Sequence, residues 1–246
     1  MTGVDLSHYQ QGLRLPLLKD GGFGFAILKI SEGSTIPDPS FDSFYSAAGD
    51  AGFPVGAYVY SHAVSAKQAE TEAEYALRLL KGRALPLGIF MDVETPAQMS
   101  LPRDQLRQTI LAFCRVIGKA GYASGIYGSE YTLWQRVDPD DFGDSLIWTA
   151  HYGRRPEMRC DLWQKTDEGQ IPGDSGPVDL DETCSDKMRA LIGQKQEPAP
   201  YFPPDLSVMM LQTILCGNGY NVPITGYKSA EFFSVLREFV DDMEVC

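Results

Sequence analysis

The sequence predicts an α/β fold: an eight-stranded β/α barrel with an irregular second half, followed by a small, mainly helical C-terminal module. Three observations carry that reading. Short strand-like stretches recur eight times between residues 3 and 180. In the first half, glycine-closed helical stretches separate several of them, the rhythm of a parallel sheet covered by helices. From residue 194 a proline-rich run ends the pattern. An open sheet would leave an unpaired edge strand, and closing eight strands into a barrel removes it.

Taken in order, residues 3–7 read as a short strand carrying Asp5, followed by His8, Tyr9 and Gln10. Residues 23–31 are nearly continuous apolar sequence, as in a strand buried on both faces, and deliver Glu32-Gly33. Residues 40–51 are helical in pattern, and Gly52-Phe53-Pro54 stops them. The strand at 55–61 sets Tyr58 and Tyr60 on one face, with His62 just past its end. Residues 66–81 have amphipathic spacing closed by Gly82. Next comes L-G-I-F-M-D-V-E at 87–94, a buried strand with two acids at its carboxyl end, then a helix over 103–120 stopped by Gly121. Strands at 124–129, 146–152, 161–166 and 178–180 follow, with little helix between the last three. Residues 194–204 are too rich in proline to continue a helix and read as a semi-rigid linker. The division is therefore a barrel over 1–193, the linker, and a module over 205–246. Two helices, 206–215 and 230–243, build that module, joined through Gly217-Asn218-Gly219-Tyr220 and Thr225-Gly226.

Composition excludes several classes. A net charge of −12 is unsuited to nucleic acid, because phosphate binding needs clustered Lys and Arg, and it offers no polybasic handle for an anionic membrane. No apolar run approaches the ~18 residues of a membrane span. The five cysteines, Cys114, Cys160, Cys184, Cys216 and Cys246, show no C-x-x-C spacing, so no structural zinc site is expected. Cys114 reads as a buried thiol, and only closeness in sequence suggests a Cys160–Cys184 bridge. The opening M-T-G-V-D-L-S lacks the basic start and apolar run of a secretory signal.

Alternation along a strand points Asp92 and Glu94 the same way, with Cα atoms roughly 6.6 Å apart. Carboxylate pairs cleave glycosidic bonds on that scale. A lone D-x-E is more often a solvated strand end. What favours chemistry here is that Asp5, Glu32 and Asp179 also fall at strand ends, where barrels of this type collect reactive groups.

The motifs G-V-D-L-S-H-Y-Q at 3–10, L-K-I-S-E-G at 28–33, G-A-Y-V-Y at 56–60, F-M-D-V-E at 90–94, G-I-Y-G at 125–128, L-W-Q at 162–164 and P-V-D-L-D at 177–181 occur in this order. The set resembles the glycoside hydrolase family 25 lysozymes, the Chalaropsis-type muramidases of phages and bacteria, over about residues 1–192. The resemblance implies an irregular barrel with fewer than eight helices and cleavage of the β-1,4 bond between N-acetylmuramic acid and N-acetylglucosamine in bacterial cell-wall peptidoglycan. It implies no cofactor. Action at the wall would follow release as an endolysin or export with a signal since removed. Asp181 departs from the Asn that such proteins more often carry there.

Protonating a glycosidic oxygen near neutral pH needs an acid whose pKa is raised by apolar surroundings or by a neighbouring charge, and Asp92 supplies such a charge to Glu94. Glu94 is therefore assigned as general acid, later general base. Asp92 and Asp179 stabilise oxocarbenium-like charge or orient the acetamido group of the substrate. Asp5 joins these catalytic acids, although both it and Glu32 read chiefly as cleft-shaping and hydrogen-bonding residues. Sugar rings present apolar faces, so Tyr9, Tyr58, Tyr60, Tyr127, Trp148 and Trp163 are candidate binding groups. Tyr60 and Tyr127, which match the motifs, rank first. The C-terminal module more weakly resembles a peptidoglycan-binding domain through Leu211-Gln212, Leu215, Gly219-Tyr220 and Thr225-Gly226. Homo-oligomerisation or packing through its helices competes with that reading. Two other classes compete for the barrel: a metal-dependent hydrolase using His8, His62 and His151, and a catalytically silent sugar-binding barrel.

Overall fold

The computed structural model describes residues 1–171, 176–193, 206–222 and 230–244. The chain divides into two compact units, Met1–Pro200 and Tyr201–Cys246.

In the first unit the order is β1 (Thr2–Leu6), α1 (Leu15–Asp20), β2 (Ala26–Glu32), β3 (Ile36–Pro37), α2 (Phe41–Ala51), β4 (Val55–Tyr60), α3 (Ala66–Leu80) and β5 (Ile89–Asp92). Then follow α4 (Pro96–Met99), α5 (Arg103–Lys119), β6 (Ser124–Ser129), β7 (Leu146–Ala150), β8 (Leu162–Gly169), β9 (Val178–Thr183) and α6 (Asp186–Ile192). The sheet runs β1-β9-β8-β7-β6-β5-β4-β2, and β1 pairs with β2 to close it. This is the expected eight-stranded barrel, with six α-helices among the described residues of this unit. The ninth strand, β3, is a two-residue hairpin partner of the end of β2.

Side-chain alternation divides the barrel's apolar residues into two clusters. Val4, Leu28, Val59, Met91, Ile126 and Ile147 pack with Phe44, Ala73, Leu80, Ile110, Phe113 and Ile117 of the surrounding helices. Phe25, Ile27, Phe90, Leu146, Trp148 and Leu162 form the second cluster, to which α6 adds Met188. Large rings fit there because their neighbours have none. A Cβ on Gly3 would lie 2.4 Å from the Phe25 ring, and one on Gly125 would lie 2.2 Å from that of Phe90. Each fully buried large apolar side chain contributes roughly 1.5–3 kcal/mol to this packing.

The structure departs from the sequence reading in three places. The barrel is not wholly parallel: β9 runs antiparallel to both β8 and β1. A parallel return needs a crossover of a dozen or more residues, and fewer than ten residues separate β8 from β9. The short helices α1, α4 and α6 and the two-residue β3 were also missed, being too brief for periodicity to register. Finally, Cys160 and Cys184 are close but not bridged; both are free thiols, and Cys184 Sγ donates to the Glu182 carbonyl at 3.8 Å. Cys114 is buried, as expected, and Cys246 lies outside the described residues.

In the second unit, α7 (Leu206–Gly217) and α8 (Ala230–Glu244) match the expected helices. Val208, Leu215, Val222 and Phe232 form their small core. Gln212 is buried, whereas Met210, Leu211, Ile214 and Phe233 are exposed. The linker and Thr225-Gly226 lie outside the described residues.

Candidate active site

At one rim of the barrel a cavity of about 520 Å³ is lined by Asp5, Ser7, Tyr9, Gln10, Lys29, Glu32, Tyr58, Tyr60, Asp92, Glu94, Tyr127, Trp148, Tyr152, Gln164, Asp167 and Asp179. Every predicted acid is among them. Asp179 reaches this rim by an unexpected route. It stands near the start of β9, not at a carboxyl end, and the antiparallel course of that strand sets it opposite Asp5.

Asp92 is 4% exposed, and its Oδ1 has no hydrogen-bond partner. Burial holds its pKa well above the ordinary value, the charge of Glu94 raises it further, and Lys29 lowers it. Glu94, two residues on, opens to solvent. Its pKa is also raised, chiefly by the protein crowded round it and secondarily by Asp179, against a hydrogen bond from Tyr60 and the Lys29 charge. The charge of Asp92, expected from its spacing to raise Glu94, is not among the causes: burial and Asp179 raise it, and Asp92 has its own pKa held well above normal.

A capping box fixes the backbone just after Glu94. Gln98 Oε1 accepts from Thr95 N at 3.0 Å and from Thr95 Oγ1 at 2.9 Å. Gln98 Nε2 then donates to Ser61 Oγ at 3.2 Å, and Ser61 Oγ donates to Glu72 Oε2 at 2.6 Å. Glu72 Oε1 accepts from His62 N at 3.0 Å. This buried network ties the ends of β4 and β5 together behind the acids.

On the opposite wall, Gln164 Nε2 donates to Asp5 Oδ2 at 2.9 Å. Its Oε1 accepts from Tyr127 at 2.8 Å and Tyr152 at 3.1 Å. Asp5 hydrogen-bonds Asp179, and burial raises the pKa of both, that of Asp5 well above normal. At the mouth, Lys29 Nζ sits 3.1 Å from Glu32 Oε2 and 5.0 Å from the centre of the Tyr60 ring. Glu32 also meets His62 Nε2 at 3.0 Å; this hydrogen bond is the main reason its pKa lies below the usual value.

Of the predicted aromatics, Tyr9, Tyr58, Tyr60 and Tyr127 line the cavity, and Tyr9 is 82% exposed. Trp148 also lines it but is only 1% exposed, wedged against Tyr58, Phe90 and Tyr127. It is floor rather than platform. Trp163 does not line the cavity: neighbouring Gln164 points inward, and the indole of Trp163 donates to the His151 carbonyl at 2.7 Å. Sequence reasoning missed Lys29, Gln164, Tyr152 and Asp167. Lys29 had a signal, since a lysine inside an otherwise apolar strand needs a charged partner. The three histidines separate: His8 pairs with Asp38, His62 with Glu32, and His151 with Tyr131. Among the described residues no cluster of three or more His, Cys, Asp or Glu is arranged to hold a metal ion.

The family model for glycosyl hydrolases family 25 matches residues 4–174. The chain belongs to this family. The autolytic lysozyme of Clostridium acetobutylicum is 28% identical over 186 residues, 74% of this chain and 55% of that protein. The chain thus spans little more than half the length of that relative. Lysozyme M1 of Streptomyces globisporus is 27% identical over 208 residues, covering 78% of this chain and 70% of its own. Among solved structures, the bacterial lysozyme from Streptomyces coelicolor superposes with a TM-score of 0.63 at 26% identity, over 78% of this chain and 95% of that one. The catalytic domain of endolysin ply40 from bacteriophage P40 of Listeria monocytogenes gives 0.68 at 26% identity, over 79% and 98%. As a family 25 glycoside hydrolase, the protein has its paired acids in the cavity at the barrel mouth.

Proposed function

We propose that the protein is a lysozyme that cleaves the β-1,4 bond between N-acetylmuramic acid and N-acetylglucosamine in bacterial peptidoglycan. The observation that carries this reading is the Asp92/Glu94 pair at the end of β5, one acid buried and one open to the cleft, facing Asp179 across the cavity.

Glu94 is the general acid. Burial raises its pKa, the direction a proton donor needs, and its exposure lets its proton reach the glycosidic oxygen. Once the leaving group departs, the same carboxylate takes a proton from water. Asp92, which lines the cavity beside Glu94, is placed to orient the acetamido group of the sugar. Asp179 supplies negative charge beside the developing oxocarbenium ion. Tyr9 and Tyr60 offer ring faces to the sugars, and Tyr58 and Tyr127 bound the floor.

The test is loss of turbidity of purified cell walls, with identification of the new reducing-end sugar. N-acetylmuramic acid at that end supports the reading. N-acetylglucosamine, or freed peptide without new reducing ends, would sink it. The C-terminal unit is a wall-binding or self-association module. Truncation near Gln196 leaves activity on soluble oligosaccharide and lowers activity on intact walls; equal loss on both would reject an accessory role.

A further inference from the structure

We propose that Asp181 is a positioning residue for this reaction and works as a neutral acid: it holds the indole of Trp148 and leaves Asp179 as the one negative charge among three neighbouring carboxyl groups. The inference rests on the lysozyme reading of the cleft.

Asp181 is 0% exposed and stands two residues beyond Asp179 in β9, on the same face of the strand. Trp148 Nε1 donates to its Oδ1 at 2.7 Å, while Oδ2 has no partner. An ionised Asp181 would have only the single proton of neighbouring Asp5 to offset its second oxygen, a proton that Asp179 also claims, and a charge so little compensated is costly in the interior. The neutral acid keeps the bond to Trp148 without that cost.

The surrounding groups act in both directions. From β1 comes the buried Asp5, whose hydrogen bond lowers the pKa of Asp181, and from β9 Asp179, whose charge raises it. From β7 and β8 come the uncharged Trp148 and Gln164. Phe90 of β5, Tyr58 of β4 and Tyr127 of β6 pack on the indole. One cation bears on Asp181: Lys165 of β8 lowers its pKa, while lying 3.8 Å from Glu182. Burial therefore dominates, and the Asp181 and Asp5 pKa values both stand well above the carboxylate range. Asp179 lines the cavity and is more exposed than the buried Asp5 and Asp181, so of the three it is the one placed to carry the charge. Trp148 in turn supports Tyr58 and Tyr127, which line the cavity.

Three variants and one spectroscopic signal decide the matter. The chain has three tryptophans, so the Trp148 indole N–H is one of three such NMR signals. A hydrogen bond to a carboxylate and one to a neutral oxygen place that signal differently. We expect Asp181→Asn to keep the wild-type position at pH 6, to keep kcat within about threefold, and to remove any shift seen at higher pH where Asp181 finally ionises. Asp181→Leu, which lacks an acceptor for the indole, loses about tenfold or more in kcat, and Asp181→Gln places a neutral acceptor wrongly and falls between. An Asn variant that moves the indole signal at pH 6 and loses as much rate as Leu would show that the charge is required and overturn the proposal. Full activity in the Leu variant would overturn the positioning role. If the Leu variant does not fold, the indole signal and rate of Asp181→Asn still decide. A wild-type enzyme that cleaves no cell wall would remove the lysozyme reading, whereas the indole comparison would still report the charge on Asp181.

Discussion

At the scale of single residues, the cleft separates two acids by their surroundings. Asp92 is buried with an unpartnered oxygen, and Glu94 is open and touched by Tyr60. On that division Glu94→Gln keeps the fold but loses hydrolysis by about a hundredfold or more, the usual effect of removing a general acid. Near-wild-type turnover on cell walls would reject the assignment. The pH profile of kcat/KM checks the cause of the Glu94 shift. Lys29 stabilises the ionised forms of both acids. Lys29→Met removes that attraction, so their pKa values rise and the alkaline limb moves to higher pH. Asp92→Asn should leave that limb in place while lowering the maximum, because a neutral Asp92 exerts no repulsion to remove. A limb that moved to lower pH in Asp92→Asn would return the cause to charge repulsion.

Among elements, the eight strands and the longer helices were legible because each carries a full period of pattern. The Asp92/Glu94 spacing was legible for the same reason: alternation alone sets both on one face. The direction of β9 was not, since a short strand reads identically in either sense and only its neighbours choose. Asp179 was thus placed at the right rim for the wrong reason. Gln164 was visible as part of L-W-Q, but nothing local showed that it, and not Trp163, faces inward toward Asp5. Nor did sequence show the network joining Thr95, Gln98, Ser61 and Glu72, which converges from three elements. That network yields its own prediction. Gln98 is fully buried, and Gln98→Leu strands the Thr95 donors and breaks the tie to Ser61. We expect a loss of about 1–3 kcal/mol in denaturant unfolding, the cost of unpaired buried polar groups, with kcat falling as Glu94 loses its fixed backbone. Unchanged stability and rate would show that the network does not support the site.

Across the whole molecule, the acids that serve the cleft bear on the stability of the barrel. Asp5, Asp92 and Asp181 all have folded-state pKa values well above the ordinary one. In the unfolded chain each ionises near about 3.9. Between that pH and its folded pKa, such a group is protonated when folded and ionised when unfolded. The native state then binds more protons, so stability falls as pH rises, by up to about 1.4 kcal/mol per pH unit for each group. The stability associated with these protons is complete below the unfolded pKa and is lost as pH climbs through the folded one. Glu32 has the opposite shift: its contribution is present above the unfolded pKa and is lost only as pH falls through its lowered folded value. The two effects occupy different windows. The net charge of −12 adds self-repulsion at neutral pH, acting in the same sense as the buried acids. The melting temperature should therefore rise as pH is lowered from 8 to 5. Salt distinguishes the causes, because screening weakens surface repulsion and leaves buried groups nearly untouched. In high salt the trend should persist in the wild-type enzyme and become shallower in the Asp92→Asn/Asp181→Asn double variant. A melting temperature flat from pH 5 to 8 in high salt would mean that these carboxyls are not held neutral by the fold, and the proton inventory proposed for the cleft would fail with it.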